Sequence, residues 1–359
     1  MTISAADHRT HADKTRHIRQ VVTTAATRLR ERHPVLRHQD AIGASILIAC
    51  MAGMILSGWL YYQHIIPWYV CIPLSAFFAG LTQEIEHDLI HLLYFRHQKV
   101  PYHLMLAGAW LCRPNTVSPW YRRRLHMHHH RHSGLATDFE EQVLTNGMPW
   151  GVRRLVVTAD LLLSMMLRPI YMFRLTLDFL KSQATHGEAG HRALTRQHLS
   201  SFFPLTNLYH LLLSAWAFYH LANWMTGLRG GTPMWDDWVL QGIEVVDLLM
   251  ITWLLPNTLR MFCLNFITSN MHYFGDIEPG NVMQQCQVLN KWWLFPFQFF
   301  CFNFGSTHAI HHFVVRETFY IRQLTAPQAH AVMREMGIRF NDMGTFSRAN
   351  RWGIDRLAN

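Results

Sequence analysis

The chain has 359 residues, 50% of them hydrophobic and only 15% charged, with 25 histidines and a net charge of +9. The apolar residues come in long blocks, as membrane spans do, which sets an ordinary soluble domain aside. Nucleic-acid binding, the other reading of a basic chain, needs a soluble basic face with groove-reading motifs, and none accompanies the charge.

Residues 1–40 are polar and basic, with Val21, Val22, Ala25 and Leu29 at helical spacing. They predict a cytoplasmic or interfacial arm resting on anionic membrane lipid, with a solvated arm as the alternative. No short apolar core with a small-residue cleavage site occurs here, so the first span is expected to target the chain itself.

That span is Ala41 to Tyr62, which carries no charge and is long enough to cross a bilayer. Ile65 to Leu81 forms the second span and runs into EIEHDLIH, placing His87 and His91 where it leaves the membrane. His103 to Cys112, bracketed by Pro101 and Pro114, is apolar but too short to cross and is expected to dip in and return. Leu155 to Leu180, interrupted by Asp160, Arg168, Pro169, Arg174 and Asp178, predicts an interfacial helix pair. Phe202 to Ala222 and Val245 to Thr268 are the third and fourth spans, and Trp292 to Phe304 reads as an interfacial aromatic belt. From Thr325 the composition is soluble, with a helix through APQAHAVMREMG ended by Gly337.

The expected fold is therefore all-α: an integral membrane four-helix bundle (spans 41–62, 65–81, 202–222 and 245–268, in a domain 41–324) with a cytoplasmic helical cap. The arm 1–40 precedes it, and a cytoplasmic helix and tail, 325–359, follow. Arg16, Arg19, Arg28, Arg30, Arg32 and Arg37 precede the first span and Arg122, Arg123, Arg124 and Arg131 surround the second histidine cluster, so the positive-inside rule puts both termini and every cluster in the cytoplasm. The six cysteines show no CxxC spacing, lie mostly in apolar runs and are expected to be reduced and buried.

Chemistry concentrates in the histidines. HDLIH gives His87 and His91, HMHHH gives His126, His129 and His130, HAIHH gives His308, His311 and His312, and His272 stands alone. Residues at i, i+3 and i+4 share a helix face, so each cluster is expected to aim its rings at one point. Imidazole suits iron, zinc, copper or nickel, and this many rings exceeds one zinc and fits a pair of metals. His128 and His132 could also reach a metal, but His128 lies off that face and reads as packed. His103, His186, His191, His198, His210 and His220 read as structural. Ligating rings need an acceptor for their outer N–H. Of the nearby carboxylates Glu84, Glu86, Asp88, Asp138, Glu140, Glu141, Asp276 and Glu317, Asp88 and Asp276 are the first choices, while Glu140 and Glu141 read equally well as solvated surface.

With those boxes, and His272 in SNMHYFGD, the stretch from His87 to His312 resembles the histidine boxes of the membrane fatty acid desaturase superfamily. The resemblance implies two irons that activate O2, held by His87, His91, His126, His129, His130, His272, His308, His311 and His312. One departure is Thr268, where acyl-CoA members of that family often carry an asparagine. EIEHDLIH, RRRLHMHHH and RETFYIRQLTAPQAH are most similar to the bacterial 1-alkene-forming (1-undecene type) fatty acid decarboxylases. This implies oxidative decarboxylation of a medium-chain free fatty acid at the bacterial inner membrane, with internal desaturation or hydroxylation as the rival outcomes. The non-enzymatic rival, a metal transporter, would line its spans with histidines or carboxylates, whereas these boxes lie beyond the span ends. An intramembrane zinc protease needs HExxH, which is absent. A carboxylate anchor is expected among Arg113, Arg122 to Arg124, Arg260 and Arg316, with Arg260 foremost because a charge in a span is costly. No HPGG haem segment and no cysteine cluster is present. Electrons are therefore expected from an external donor such as ferredoxin and its reductase, docking on the arginine-rich face.

Overall fold

The computed structural model describes residues 9–159, 175–181 and 187–353. Among them the chain is helical, with isolated bridges at His272–Cys286 and Val288–Phe340 and no longer strand. The first six helices are α1 (His11–Arg32), α2 (Gln39–Tyr62), α3 (Trp68–Ile90), α4 (Lys99–Cys112), α5 (Pro119–His132) and α6 (Phe139–Val143). They are followed by α7 (Val152–Ala159), α8 (Gly187–Ser200), α9 (Leu205–Leu228), α10 (Asp237–Leu249) and α11 (Leu255–Met271). Short α12 (Phe295–Phe300), α13 (Phe304–Phe313) and α14 (Phe319–Glu335) follow, and residues 175–181 are also helical.

Among the described residues two helices are long and apolar enough to cross a bilayer, Gln39–Tyr62 and the continuous Asp237–Met271. They correspond to the first and fourth expected spans. In the second, α10 and α11 join through a π turn, Met250–Leu254. Pro256 has no N–H to give the preceding turn, and the wider turn absorbs the missing bond without breaking the rod. The helices at the other two expected spans, α3 and α9, have 23 and 24 residues, and α3 packs on both α2 and α11. The segment from His103 to Cys112 is helical within α4. Most of the pair expected over 155–180 lies outside the described residues.

Two features position the site. A Cβ on Gly80 would strike the carbonyl oxygen of Phe300, so glycine lets α3 and α12 meet backbone to backbone two turns below the first histidine box. The N-terminal arm packs one face against the protein. Ile18, Val22 and Ala26, at i, i+4 and i+8, are buried, and α1 packs on α14 and touches α13. Ile18 and Val22 share a core with Ile267, Met271, Ile310 and Met333, each contributing roughly 1.5–3 kcal/mol on burial. Arg19 Nε donates to the carbonyl of Phe313 at 3.0 Å, and Arg30 pairs with Glu317 at 2.6 Å, so α1 clamps the end of the third box. The expected arm misread its own face: Ala25 and Leu29 lie beside the buried row, while Ile18 and Ala26 are in it. The C-terminal helix ends as expected before Gly337 at φ +88°, but it begins at Phe319, so a boundary at 324 falls inside it.

Candidate metal centre

Four elements carry the nine histidines to one place: the last turn of α3 (His87, with His91 as its cap), the C-terminal half of α5, α13, and the residue just after α11, His272. Seven are buried, and His91 and His130 are half-buried. Their ring nitrogens form two groups. His87, His91, His126 and His311 converge in one, and His129, His272, His308 and His312 in the other, all ligand atoms of a group within 4.8 Å of one another. His130 joins the first, its Nε2 lying 3.2 Å from that of His91, 3.1 Å from His126 and 3.0 Å from His311.

Each three-histidine box is therefore shared between the groups, a correction to the expectation that it aims at one point. On a helix, i and i+4 differ by about 40°, but i+3 sits about 60° to the other side of i. Accordingly His126 and His130 go one way and His129 the other; His308 and His312, with Nε2 atoms 3.1 Å apart, go together, and His311 leaves them.

The residues fit a pair of ions. His91, His130 and His311 present three Nε2 atoms 3.0–3.2 Å apart, a triangle that ring N–H groups pointing radially outward cannot satisfy among themselves. Nitrogens about 2.1 Å from one ion and roughly 90° apart would have about this spacing. His87 Nε2 and His272 Nε2 are buried with no hydrogen-bond partner among the described residues, and such groups ask for one. Burial, then neighbouring rings, hold His87, His126, His308, His311 and His312 well below the usual imidazole range. The same causes push His91 down to about 2, and burial and His129 push His272 down to about 3. Neutral imidazole is the ligating form. His129 is the exception: burial opposes its charge, but Asp138 and then Glu141 overcome it and raise it to about 10.

The outer nitrogens are held by a segment sequence reasoning had ranked low. His129 Nδ1 lies 2.8 Å from Asp138, His126 Nδ1 lies 3.0 Å from Glu140, and His272 Nδ1 lies 3.2 Å from Glu141 and from the carbonyl of Thr268. His312 Nδ1 donates to Gln285 Oε1 at 2.9 Å. Of the two residues that read equally well as solvated surface, Glu141 is buried, as is Asp138, and Glu140 is partly exposed. They reach the rings because Gly134, two residues after α5, turns the chain back at φ +75°, with its N–H donating to Asp138 at 3.1 Å. A Cβ there would meet the Tyr273 carbonyl oxygen at 2.5 Å. Gly134→Ala is expected to destabilise the fold by about 1–3 kcal/mol through strain at this φ. Displacing Asp138 should also lower metal content; a thermal melt and metal analysis check both.

The first choices for that outer role lie elsewhere. Asp276 accepts from the backbone N–H groups of Trp352 and Gly353, at 2.6 and 2.8 Å, and so pins the C-terminal segment. Asp88 accepts from the Phe319 N–H, the Tyr94 hydroxyl and Arg322. It acts on a ring only through Arg322, whose Nη1 is 3.2 Å from His311 Nδ1. His128 donates from Nε2 to the Thr137 carbonyl and stacks on His132 at 4.2 Å, outside both groups. At Thr268 the hydroxyl turns to the Leu264 carbonyl, and Asn265 and Asn270 bond to the Thr158 and Phe266 carbonyls. Arg260 is fully buried and donates to Asn257 at 3.2 Å and Asn115 at 2.9 Å. Sequence reasoning missed two further residues. Arg322 comes from α14, and Asn350 donates to the carbonyls of Ser269 and His272.

The fatty acid desaturase family model matches residues 64–344, from before α3 to beyond α14. No curated protein matches the chain. The matched region holds every residue of both histidine groups and well over half of the sequence, and the chain belongs to the fatty acid desaturase family.

Proposed function

We propose that this chain is a membrane di-iron oxidoreductase that decarboxylates a medium-chain free fatty acid to a terminal 1-alkene, using O2 and electrons from a ferredoxin and its reductase. The observation that carries the metal reading is the partition of nine imidazoles into two convergent groups. The bundle has four spans, α3 and α9 completing the set with α2 and α10–α11, and the histidine boxes face the cytoplasm of a bacterial inner membrane.

His87, His91, His126, His130 and His311 would hold one iron, and His129, His272, His308 and His312 the other. Two irons supplied with O2 and electrons provide an oxidant able to take hydrogen from an unactivated C–H bond. The protein's own part is to orient the rings through Asp138, Glu140, Glu141 and Gln285, and to fix which carbon is presented. Loss of hydrogen at the β-carbon followed by loss of CO2 leaves the alkene. In balance, one acid, one O2, two electrons and two protons give one alkene, one CO2 and two waters. Resemblance around EIEHDLIH and RETFYIRQLTAPQAH favours this outcome over an internal double bond.

Purified protein given dodecanoic acid, O2, ferredoxin, reductase and NADPH is expected to release a C11 terminal alkene, read in the headspace. Internal olefinic acids alone would move the reaction to desaturation and hydroxy acids alone to hydroxylation. Turnover with NADPH and no carrier would remove the external donor.

A further inference from the structure

Glu86 directly precedes His87 and is fully buried between two guanidinium groups. Arg113 Nη2 lies 3.0 Å from its Oε2, and Arg122 Nη1 lies 2.7 Å from its Oε1. One carboxylate therefore faces two permanent positive charges. Arg113 is itself fully buried. Its Nη2 also reaches Thr116 Oγ1 at 3.3 Å, but its Nε and Nη1 meet no acceptor among the described residues. Buried N–H groups are almost always paired, and a buried guanidinium that keeps donors in reserve beside a surplus positive charge is a receptor for an anion. The adjoining wall is polar: Asn115, two residues on, accepts from Arg260 and donates to the carbonyl of Asn257 at 3.2 Å.

We propose that Arg113, held in place by Glu86 with Arg122, binds the carboxylate of the aliphatic acid substrate. The proposal rests on the fatty-acid reading above and sharpens it in two ways. A free acid carries the charge this site requires, whereas a thioester or methyl ester does not. Glu86 directly precedes His87 on α3 and Arg122 lies one turn before His126 on α5, so both supports of the site belong to helices that carry the first two histidine boxes, and a carboxylate held there keeps the first carbons of the chain closer to those boxes than the mid-chain carbons. The anchor is thus Arg113; Arg260 serves the neighbouring amide wall.

The test uses the full-length, iron-loaded protein in lipid nanodiscs, without oxygen or reductant, and titrates dodecanoate and methyl dodecanoate by calorimetry. Dodecanoate is expected to bind about 10- to 100-fold more tightly than the ester, the range for hydrogen bonds to a charged group. Arg113→Gln leaves Glu86 paired with Arg122 and should remove that preference while ester affinity and iron content stay unchanged. If Arg113→Gln does not fold, Arg113→Lys keeps a charge beside Glu86 and should retain only part of the preference. An acid-to-ester ratio near one in the unmodified protein overturns the proposal whatever the variants do, as does a full preference in either variant. Acid-selective binding with no fatty-acid oxidation in the assay above would instead overturn the reaction and leave the carboxylate site standing.

Discussion

Replacing His308 with alanine and replacing His311 with alanine are each expected to cost one ion, but not the same one. The two residues sit three apart on α13, yet His308 converges with His129, His272 and His312, whereas His311 meets His91 and His130 at 3.0 Å. Removing either ring leaves the other group's ligands untouched, so metal content should fall from two toward one per chain and oxidation should drop to background. Mössbauer spectra of the two 57Fe-loaded variants should then show different surviving components, because one group has five imidazoles and the other four with Asp138 and Glu141 at their backs. His312→Ala should lose the same component as His308→Ala, and His126→Ala the same as His311→Ala. His128→Ala and His132→Ala, whose rings stack on each other and bond to backbone, should keep both ions and turn over within about twofold, as substitutions away from such sites do. Identical surviving spectra from His308→Ala and His311→Ala would sink the partition.

What the sequence could show and what it could not divide along the range of the interactions. The boxes are local patterns, and spacing alone marks His87, His91, His126, His129, His130, His308, His311 and His312 as one system. The end of α14 is local too, set by Gly337. The assignment of each ring to an ion is not local, because it depends on how α3, α5 and α13 are rotated against one another. The orienting carboxylates are a middle case. Asp138, Glu140 and Glu141 follow the second box closely, and a glycine two residues after the last histidine is a visible turn signal. Ranking Asp88 and Asp276 above them weighed nearness in sequence to a ligand over the direction of the helix. Asp88 follows His87 by one residue and so points about 100° away from it, into the interior toward Arg322. The packing of the arm is equally non-local: Arg19 and Arg30 have partners nearly 300 residues later, in Phe313 and Glu317.

Arg322→Met is expected to be the most destabilising single substitution near the centre. The guanidinium is buried and bridges Asp88 at 3.3 Å, Glu84 at 3.4 Å and the Glu317 carbonyl at 2.7 Å. Burial pushes Glu84 up to about 8 and raises Asp88, with Arg322 the largest charge opposing both. Removing it strands the buried Asp88 carboxylate and takes from Glu84 its Arg322 partner, at a cost of about 3–5 kcal/mol, the usual penalty for breaking one partner out of a buried pair. If uncompensated charge is the cause, the neutral combination Arg322→Met, Glu84→Gln, Asp88→Asn should recover most of the lost stability, because a neutral cluster of similar volume carries no such penalty. The same combination separates folding from metal binding. An imidazole that ligates through Nε2 carries its proton on Nδ1, and at His311 that nitrogen faces an N–H of Arg322 at 3.2 Å, where those of His126 and His129 face carboxylates and that of His312 faces an amide. Arg322 thus opposes the ion at His311 both by charge and by that contact, so the neutral combination should hold the five-histidine ion at least as tightly as the unmodified chain. Chelator competition read alongside thermal melts decides it. A combination as unstable as Arg322→Met would trace the loss to packing, and a weaker ion would make Arg322 a residue that positions His311.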